Sequence, residues 1–559
     1  MKVIVVGGVA AGPKTASKII RMCPETEVTI LEKGEFLSYA GCGLPYYVSG
    51  VVKEQKELMS TPVGVTRDPV FFQKVKNVHV LNHTEAIRVD REKKQVEIKN
   101  LVTGETSSLP YDKLMLATGG RPVMPPIPGM NLKNVYALHG IEDAEGIKSV
   151  VSQEQAKDVV IIGGGLIGVE TTEALVETGC RVTVVEMLPQ ILPMLDWEMA
   201  RQVQIHMEAK GVKVLTETRA VKLVEDSRSE GSVTRVETTN GDLPADMVIV
   251  AVGVRPNVIL AKEAGLQIGE TGAISVDDRM RTSDPDIYAA GDCVECRNLI
   301  TGKPCYVPLG STANKQGRVA AVNICEGEDT FPGVLGSAVC KVFDYAVART
   351  GLSENEARRA GFDVVTALAP SPDRAHYMPT AKLLMLKLIA DRKSGRLLGA
   401  QATGPGEAAK RIDVAATAIT AGMTVNQVSK LDLSYAPPYA PAMDNLITAS
   451  DVIRNKLTGF MVGISPMDLK KKPEGSYFFL DVRSPAEVAE VRLSGSVNIP
   501  LGALRNRLDE VPRDKEIVAF CKISLRGYEA ALILKANGFS NVKVLDGGVV
   551  MWPYEKISD

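Results

Sequence analysis

The sequence predicts a multidomain α/β chain: two doubly wound nucleotide-binding domains, an α+β domain after them, and a smaller α/β domain at the C-terminal end. Three observations predict it. A strand, a glycine turn, a helix, a second strand and an acid follow one another in residues 2–32 and again in 159–186. After about residue 450 the pattern becomes short apolar strands alternating with helical stretches. The chain has 559 residues, which at roughly 150 per domain gives room for three or four cores.

Composition narrows the classes. Hydrophobic residues make up 45% and charged residues 24%, which excludes a mostly disordered or fibrous chain. A net charge of −2 provides no global field for nucleic acid or an anionic membrane, so neither is expected as a partner. Nine cysteines at irregular spacing do not form a secreted disulfide framework, and a reducing cytoplasm is the expected compartment. The apolar stretches 159–169 and 247–254 are too short and too Gly-punctuated to span a membrane. The apolar run after Met1-Lys2 stops at Gly7-Gly8 and reads as a buried strand, not a signal peptide.

In the first unit, residues 2–6 are an apolar, β-branched run and Gly7-Gly8-Val9-Ala10-Ala11-Gly12 opens a helix. Small residues there let a dinucleotide pyrophosphate reach the helix N-terminus, where unpaired N–H groups and the helix dipole favour anions. Gly7, Gly8 and Gly12 are the candidate contacts, although the middle glycine of the fingerprint is Val9. A second strand over 28–31 ends in Glu32, placed to accept ribose hydroxyls. The second unit has 159–162, then Gly163-Gly164-Gly165-Leu166-Ile167-Gly168, then 182–185 and Glu186. Gly163, Gly165 and Gly168 are all in place. An acid at Glu186, with no arginine at Met187 or Leu188, would repel a 2′-phosphate and favours NADH. Arg181, just before that strand, leaves NADPH open.

Further along, Thr282-Ser283-Asp284-Pro285-Asp286-Ile287-Tyr288-Ala289-Ala290-Gly291-Asp292 resembles the second flavin motif of the pyridine nucleotide-disulfide oxidoreductases. Leu116-Ala117-Thr118-Gly119 and Val252-Gly253-Val254-Arg255-Pro256-Asn257 resemble the family's two connecting motifs. The resemblance implies FAD in the first unit, NAD(P)H in the second, and Asp292 on the flavin ribityl chain.

Ser38-Tyr39-Ala40-Gly41-Cys42-Gly43-Leu44-Pro45-Tyr46-Tyr47 follows the first acid. Dithiol members of the family carry C-x4-C here. The second position is Tyr47, so an internal redox disulfide at this site is excluded. A lone Cys42 must cycle as a mixed disulfide with a small thiol or as a sulfenic acid. Over residues 1–450 the arrangement resembles the coenzyme A-disulfide reductases and their persulfide-reducing relatives. The NADH oxidase and peroxidase branch has a histidine in the first glycine loop. Ala10 stands there, and no histidine precedes His79.

Lys14, Lys18 and Arg21 are spaced i, i+4, i+7 and share one helix face, which by spacing alone fits a solvated basic surface equally well. The resemblance places Lys18, Arg21 and Ser38 along a coenzyme A channel and matches Lys74 to a further lysine. The usual asparagine before the cysteine is Gly41. No histidine lies beyond His376, so the His–Glu acid–base pair of glutathione-type reductases is absent. In the coenzyme A branch tyrosines take that place, and Tyr435 and Tyr377 match. The resemblance implies a homodimer in which these phenols donate protons at the other subunit's Cys42.

In the last hundred residues, Cys521-Lys522-Ile523-Ser524-Leu525-Arg526 follows an expected strand and precedes an Ala-rich helix. A cysteine at a helix N-terminus is placed to hold a persulfide anion among backbone N–H groups. The loop resembles the rhodanese C-x4-R loop, making Cys521 and Arg526 catalytic candidates. Asp481-Val482-Arg483, Asn498-Ile499-Pro500 and Leu545-Asp546-Gly547-Gly548 match supporting motifs. Cys293-Val294-Glu295-Cys296, with Cys305 near, lacks the second pair or histidines of a zinc set, and no metal is expected. Cys23, Cys180, Cys325 and Cys340 read as bystanders.

The expected organisation is an FAD domain in 1–115 and 248–325, an NAD domain in 116–247, a dimerisation domain in 326–450, a linker in 451–466 and a rhodanese domain in 467–559. The expected activity is FAD-dependent, NADH-driven reduction of coenzyme A disulfide, coenzyme A persulfide or polysulfide through Cys42, with Cys521 handling sulfane sulfur. Two alternatives stand beside it: an NADH oxidase or peroxidase with an accessory sulfurtransferase, and a flavin redox sensor.

Overall fold

The computed structural model describes residues 1–153, 156–226, 231–473 and 475–558. It divides into two compact units, 1–189 with 211–334, and 190–210 with 335–559.

In the first unit the apolar runs become parallel strands buried on both faces. One sheet runs Ile287–Ala289, Lys113–Leu116, Lys2–Val6, Glu27–Leu31, His79–Leu81, so its edge strand comes from far along the chain. Val3 and Val5 enter a core with Ile19, Ile30 and Phe72, while Ile4 and Val6 enter another with Leu31 and Leu116. That alternation is the period of a strand. Each fully buried Val or Ile contributes about 1.5–3 kcal/mol.

The second sheet has the same plan: Lys213–Leu215, Arg181–Val185, Asp158–Ile162, Met247–Val250, Val135–Tyr136. In both sheets the first strand of the repeat lies between strands that continue the chain on either side. Its C-terminal end is therefore a switch point where nucleotides bind. The two connecting motifs meet as an antiparallel pair, Gly120–Pro122 with Val254–Pro256, secured by Thr118 Oγ1 donating to the Asn257 carbonyl at 2.7 Å.

The second unit has an antiparallel sheet ordered Ala338–Val342, Tyr345–Gly351, Leu397–Gly404, Leu383–Asp391, Val364–Pro372. A C-terminal parallel sheet follows, ordered Gly463–Ile464, Val542–Leu545, Glu516–Phe520, Tyr477–Asp481, Ser496–Asn498. The linker expected over 451–466 is largely structured. Helix Asn445–Leu457 runs into it and packs on Val364–Pro372, and Gly463–Ile464 is already a strand of the C-terminal sheet. Only 458–462 and Ser465 lie outside regular elements, and even there Met461 is buried in the C-terminal core.

Two of the buried ionic contacts in this unit join distant segments. Lys387, 1% exposed, is held by Asp196, Glu198 and Glu354 at 2.9, 2.6 and 2.8 Å. Lys456 donates to Asp546 at 2.7 Å and to the Thr366 carbonyl at 2.8 Å, tying the long helix to the C-terminal sheet. Among the described residues no helix is long and apolar enough to cross a membrane.

Candidate functional site

The two glycine loops are built alike. Gly7 has φ +112°, and a Cβ there would lie 2.1 Å from the Ala117 carbonyl oxygen; Gly163 has φ +106° and the same conflict at 2.4 Å with Ala251. Gly12 and Gly168 bring their helices within 1.9 and 2.1 Å of the Gly7 and Gly163 oxygens by the same measure, so a side chain is impossible at any of the four. Helices Ala11–Met22 and Leu166–Glu177 both start without a side-chain cap, leaving first-turn N–H groups for an anion. At Gly165 a Cβ would meet nothing within 4 Å, so glycine there leaves space rather than fitting protein.

The two acids also correspond. Glu32 accepts from Gly8 N–H at 2.6 Å and Gly34 N–H at 2.8 Å; Glu186 accepts from Gly164 and Leu188 N–H, both at 2.8 Å. Each carboxylate thus orders its glycine loop from the end of the neighbouring strand. Asp292 follows Gly291 in a left-handed turn, and burial pushes its carboxyl up. A partly enclosed carboxyl of this kind suits a polyhydroxyl chain. The cradles, uncapped helices and acids fit two dinucleotides.

Cys42 is exposed in the tight turn Gly41–Gly43 that leads into helix Leu44–Val48. A Cβ at Gly41 would meet open space, so a larger residue is not excluded there by packing, whereas one at Gly43 would strike Leu58 at 2.5 Å. Burial, then the Glu170 and Asp292 carboxylates, push the Cys42 thiol up. Tyr47, where a second thiol would stand, donates to Glu145 at 2.7 Å and lies under the Lys148 ammonium. It is a packing and anchoring residue, which closes the dithiol route.

Around this loop, Ser38 adopts φ +50° and its N–H donates to the Gly8 carbonyl at 2.8 Å, coupling the cysteine loop to the first glycine turn. Helix Ala11–Met22 buries Ala11, Thr15, Ala16 and Ile19 and leaves Lys14, Lys18 and Arg21 off that face. None of the three makes an ion pair among the described residues, so their charge is available to an anion. Lys74 is exposed on helix Pro69–Lys76, which shares a core with the first helix through Phe72 and Ile19.

In the second unit Tyr377 and Tyr435 come together. Ala375 N–H reaches the Pro437 carbonyl and Arg374 reaches that of Pro438 at 3.1 Å, so the two segments that carry the tyrosines are joined. Partial burial and the Tyr435 hydroxyl push the Tyr377 phenol up. Both rings are more than half exposed.

Cys521 directly follows strand Glu516–Phe520 and is 1% exposed. Its carbonyl accepts from Val549 N–H at 3.0 Å, and a Cβ on Gly548 would sit 2.3 Å from that oxygen, which explains the paired glycines of the supporting motif. Ser524, at φ +79°, turns the chain into helix Leu525–Ala536 and ties its hydroxyl to the Leu545 carbonyl at 2.8 Å. Asp481 and Arg483 form a buried pair at 2.6 Å, and Asn498 braces their carbonyls.

Two residues were missed by sequence reasoning. Glu487 grips the Arg526 guanidinium with both oxygens, at 2.6 and 2.7 Å, and its carboxyl is held down at about 2 by that pairing. The signal was present: Ser484 and Glu487 form a capping box. Glu170, beside Cys42 in charge if not in sequence, has a carboxyl pushed up to about 7 by burial. No sequence pattern singled it out.

Known proteins match throughout. Residues 1–317 match the pyridine nucleotide-disulphide oxidoreductase family, 337–447 its dimerisation domain, and 465–554 the rhodanese-like domain. A Pyrococcus abyssi NAD(P)H sulfur oxidoreductase (CoA-dependent) is 39% identical over 452 residues, covering 81% of this chain and 98% of that protein. The solved NAD-dependent persulfide reductase from A. fulgidus is 48% identical, with a TM-score of 0.94 over 99% of this chain and 100% of its own. The reduced Bacillus anthracis CoADR-RHD is 38% identical, with a TM-score of 0.92 over 99% of this chain and 97% of its own.

Proposed function

The chain belongs to the pyridine nucleotide-disulphide oxidoreductase family, and from that premise we propose an FAD-dependent NADH oxidoreductase that reduces coenzyme A persulfide, polysulfide or coenzyme A disulfide through Cys42. The observation that carries this reading is the solitary, exposed Cys42 with Tyr47 engaged elsewhere. Such a thiol can form a mixed disulfide only with the sulfur of another molecule.

Gly7, Gly8, Gly12, Glu32 and Asp292 hold FAD, and Gly163, Gly165, Gly168 and Glu186 hold NADH. Bound FAD supplies the electron link between NADH and the disulfide at Cys42. The Cys42 thiolate attacks the coenzyme A-bound sulfur of a persulfide; hydrosulfide leaves and a Cys42–coenzyme A mixed disulfide forms. Burial and the Glu170 and Asp292 carboxylates penalise the Cys42 anion but not this uncharged product. Lys18, Arg21 and Ser38, with Lys14 and Lys74 further out, hold the phosphates and adenosine. Tyr435 and Tyr377 give a proton to the departing coenzyme A thiolate, each from the other subunit of a homodimer.

Cys521 accepts sulfane sulfur as a persulfide and passes it to coenzyme A thiol, which makes coenzyme A persulfide and restores the Cys521 thiol. Arg526 stabilises the Cys521 persulfide anion. The proposed domain assignment is FAD in 1–115 and 248–325, NAD in 116–247 and dimerisation in 326–450, with the rhodanese domain, expected from 467, already begun at the strand Gly463–Ile464 of its sheet. The few thiols fit a reducing cytoplasm.

Steady-state NADH oxidation against coenzyme A persulfide, polysulfide, coenzyme A disulfide, peroxide and oxygen tests the reading. Turnover is expected to be fastest with one of the sulfur substrates. Faster turnover with peroxide or oxygen would replace it with an oxidase or peroxidase, and slow turnover with all of them would favour a sensor.

A further inference from the structure

The pattern Cys293-x2-Cys296 invites pairing of those two thiols, but the structure separates them. Cys293 is fully buried and its Sγ turns to the Ala290 and Leu116 carbonyls at 3.3 and 3.6 Å. Cys296 instead stands in strand Cys296–Arg297, directly opposite Cys305 in strand Pro304–Cys305. Opposite residues of an antiparallel pair project to one face with Cα atoms about 4.5–5.5 Å apart. A disulfide bridges about 4.4–6.8 Å. The hairpin turn is firm: Asn298 Oδ1 accepts from Ile300 and Thr301 N–H at 2.9 and 3.0 Å, and Gly302 supplies the left-handed turn at φ +71°. No group of three metal-ligating side chains occurs among the described residues, so a metal does not account for these thiols.

The pair is also wired to the flavin motif. Gln316, fully buried, donates from Nε2 to Cys296 Sγ at 3.2 Å and accepts at Oε1 from Gly291 N–H at 2.9 Å. Tyr306, next to Cys305, donates to the Asp292 carbonyl at 2.9 Å. Cys296 is thus linked to Gly291 through Gln316 of helix Gly310–Ile324, and Tyr306, the residue after Cys305, reaches Asp292 directly.

We propose that Cys296 and Cys305 form a reversible disulfide, made by a low-molecular-weight disulfide or polysulfide, that alters the Gly291-Asp292 turn at the flavin site. This redox site goes beyond the activity assigned to Cys42; the disulfide itself does not depend on that activity, while its effect on the flavin rests on the proposed placement of FAD at Asp292. Cys305 is the entry sulfur because it is only half-buried, whereas Cys296 is 7% exposed and burial pushes its thiol up to about 12. The Cys305 thiolate attacks one sulfur of the small disulfide, that S–S bond breaks, and a thiolate leaves and takes up the proton Cys305 gave. Cys296 then bonds to the Cys305 sulfur, its proton going to the second departing thiolate. Two protein thiols are oxidised and one small disulfide is reduced to two thiols. A disulfide sulfur is a weaker acceptor than the thiol it replaces, so Gln316 loses hold of Cys296 and its grip on Gly291 changes.

The test uses the full-length, FAD-replete protein carrying Cys42→Ser and Cys521→Ser, so that neither thiol of the proposed reaction takes part. It is incubated with excess cystamine, alkylated with iodoacetamide and digested without reduction. The expected result is a linked peptide joining Cys296 to Cys305, with loss of alkylation at both. A shift in the visible absorbance of the bound flavin should accompany it, reverse with dithiothreitol and be absent when Cys305→Ser is added. Full alkylation of both thiols after cystamine would overturn the proposal. A link that omits either residue would do the same, as would an identical flavin shift with Cys305→Ser.

Discussion

Cys42 and Cys521 both stand just before a helix, yet their surroundings differ in kind. Cys42 is exposed on a glycine-flanked turn, with carboxylates for neighbours. Cys521 is enclosed, its carbonyl fixed by Val549 and its loop tied to Leu545, with the Arg526 guanidinium at hand. An open thiol among acids suits a bulky partner held by distant cations, because the anion is disfavoured and a neutral disulfide is not. An enclosed thiol beside an arginine suits a small anionic sulfur species. On the proposed function this difference divides the chemistry, with reduction at Cys42 and sulfur carriage at Cys521.

The strongest way to break that division is to remove each thiol in turn. Cys42→Ser should lower NADH-dependent coenzyme A disulfide reduction by about a thousandfold or more, the scale on which removed nucleophiles act. Cys521→Ser should leave the same rate within about twofold while abolishing thiosulfate-to-cyanide sulfur transfer. Parallel loss of both activities in either variant would contradict that division of roles.

A smaller effect sharpens the Cys521 side. Pairing with Arg526 holds Glu487 down at about 2, below its ordinary 4.5. A depressed carboxyl adds stability above its unfolded value that is lost as the pH falls through the folded one. The contribution should therefore be full above about pH 4.5 and fade toward pH 2. With side chains 29% and 33% exposed, screening leaves it at about 1–2 kcal/mol. Urea unfolding of the native chain and of Glu487→Gln at pH 7 and pH 3 should give a gap between them that narrows at the lower pH.

The smallest effect concerns the cations near Cys42. Lys18→Ala should raise KM for coenzyme A disulfide about three- to tenfold with kcat little changed, as expected for a phosphate contact made equally in ground and transition states. An unchanged KM would return the basic face of helix Ala11–Met22 to a solvated surface.

Much of the site could be read in advance where a residue has one possible reason. Gly7, Gly12, Gly163 and Gly168 are legible because neighbouring backbone occupies the place of any side chain. Glu32 and Glu186 are legible because a strand end next to a glycine loop is where an acid has hydrogen-bond donors to meet. What escaped was assembled from distant segments. The three acids around Lys387 come from residues 196, 198 and 354, and no local pattern joins them. Glu170 acquires its raised carboxyl from the fold around it. The stretch 451–466 was composed like a linker but folds, because Met461 and Ile464 have cores to enter. That Cys296 stands opposite Cys305 could not be read from the C-x2-C spacing, since strand register and not sequence proximity sets it.

The central claim is that Cys42 carries its substrate as a coenzyme A mixed disulfide. Mass analysis of the full-length protein, purified without reductant and digested without reduction, tests it most directly. The account predicts coenzyme A attached at Cys42 and nowhere else, released when NADH is added to the FAD-loaded enzyme. An unmodified Cys42, a sulfenic acid there, or coenzyme A attached at Cys521 instead would contradict it.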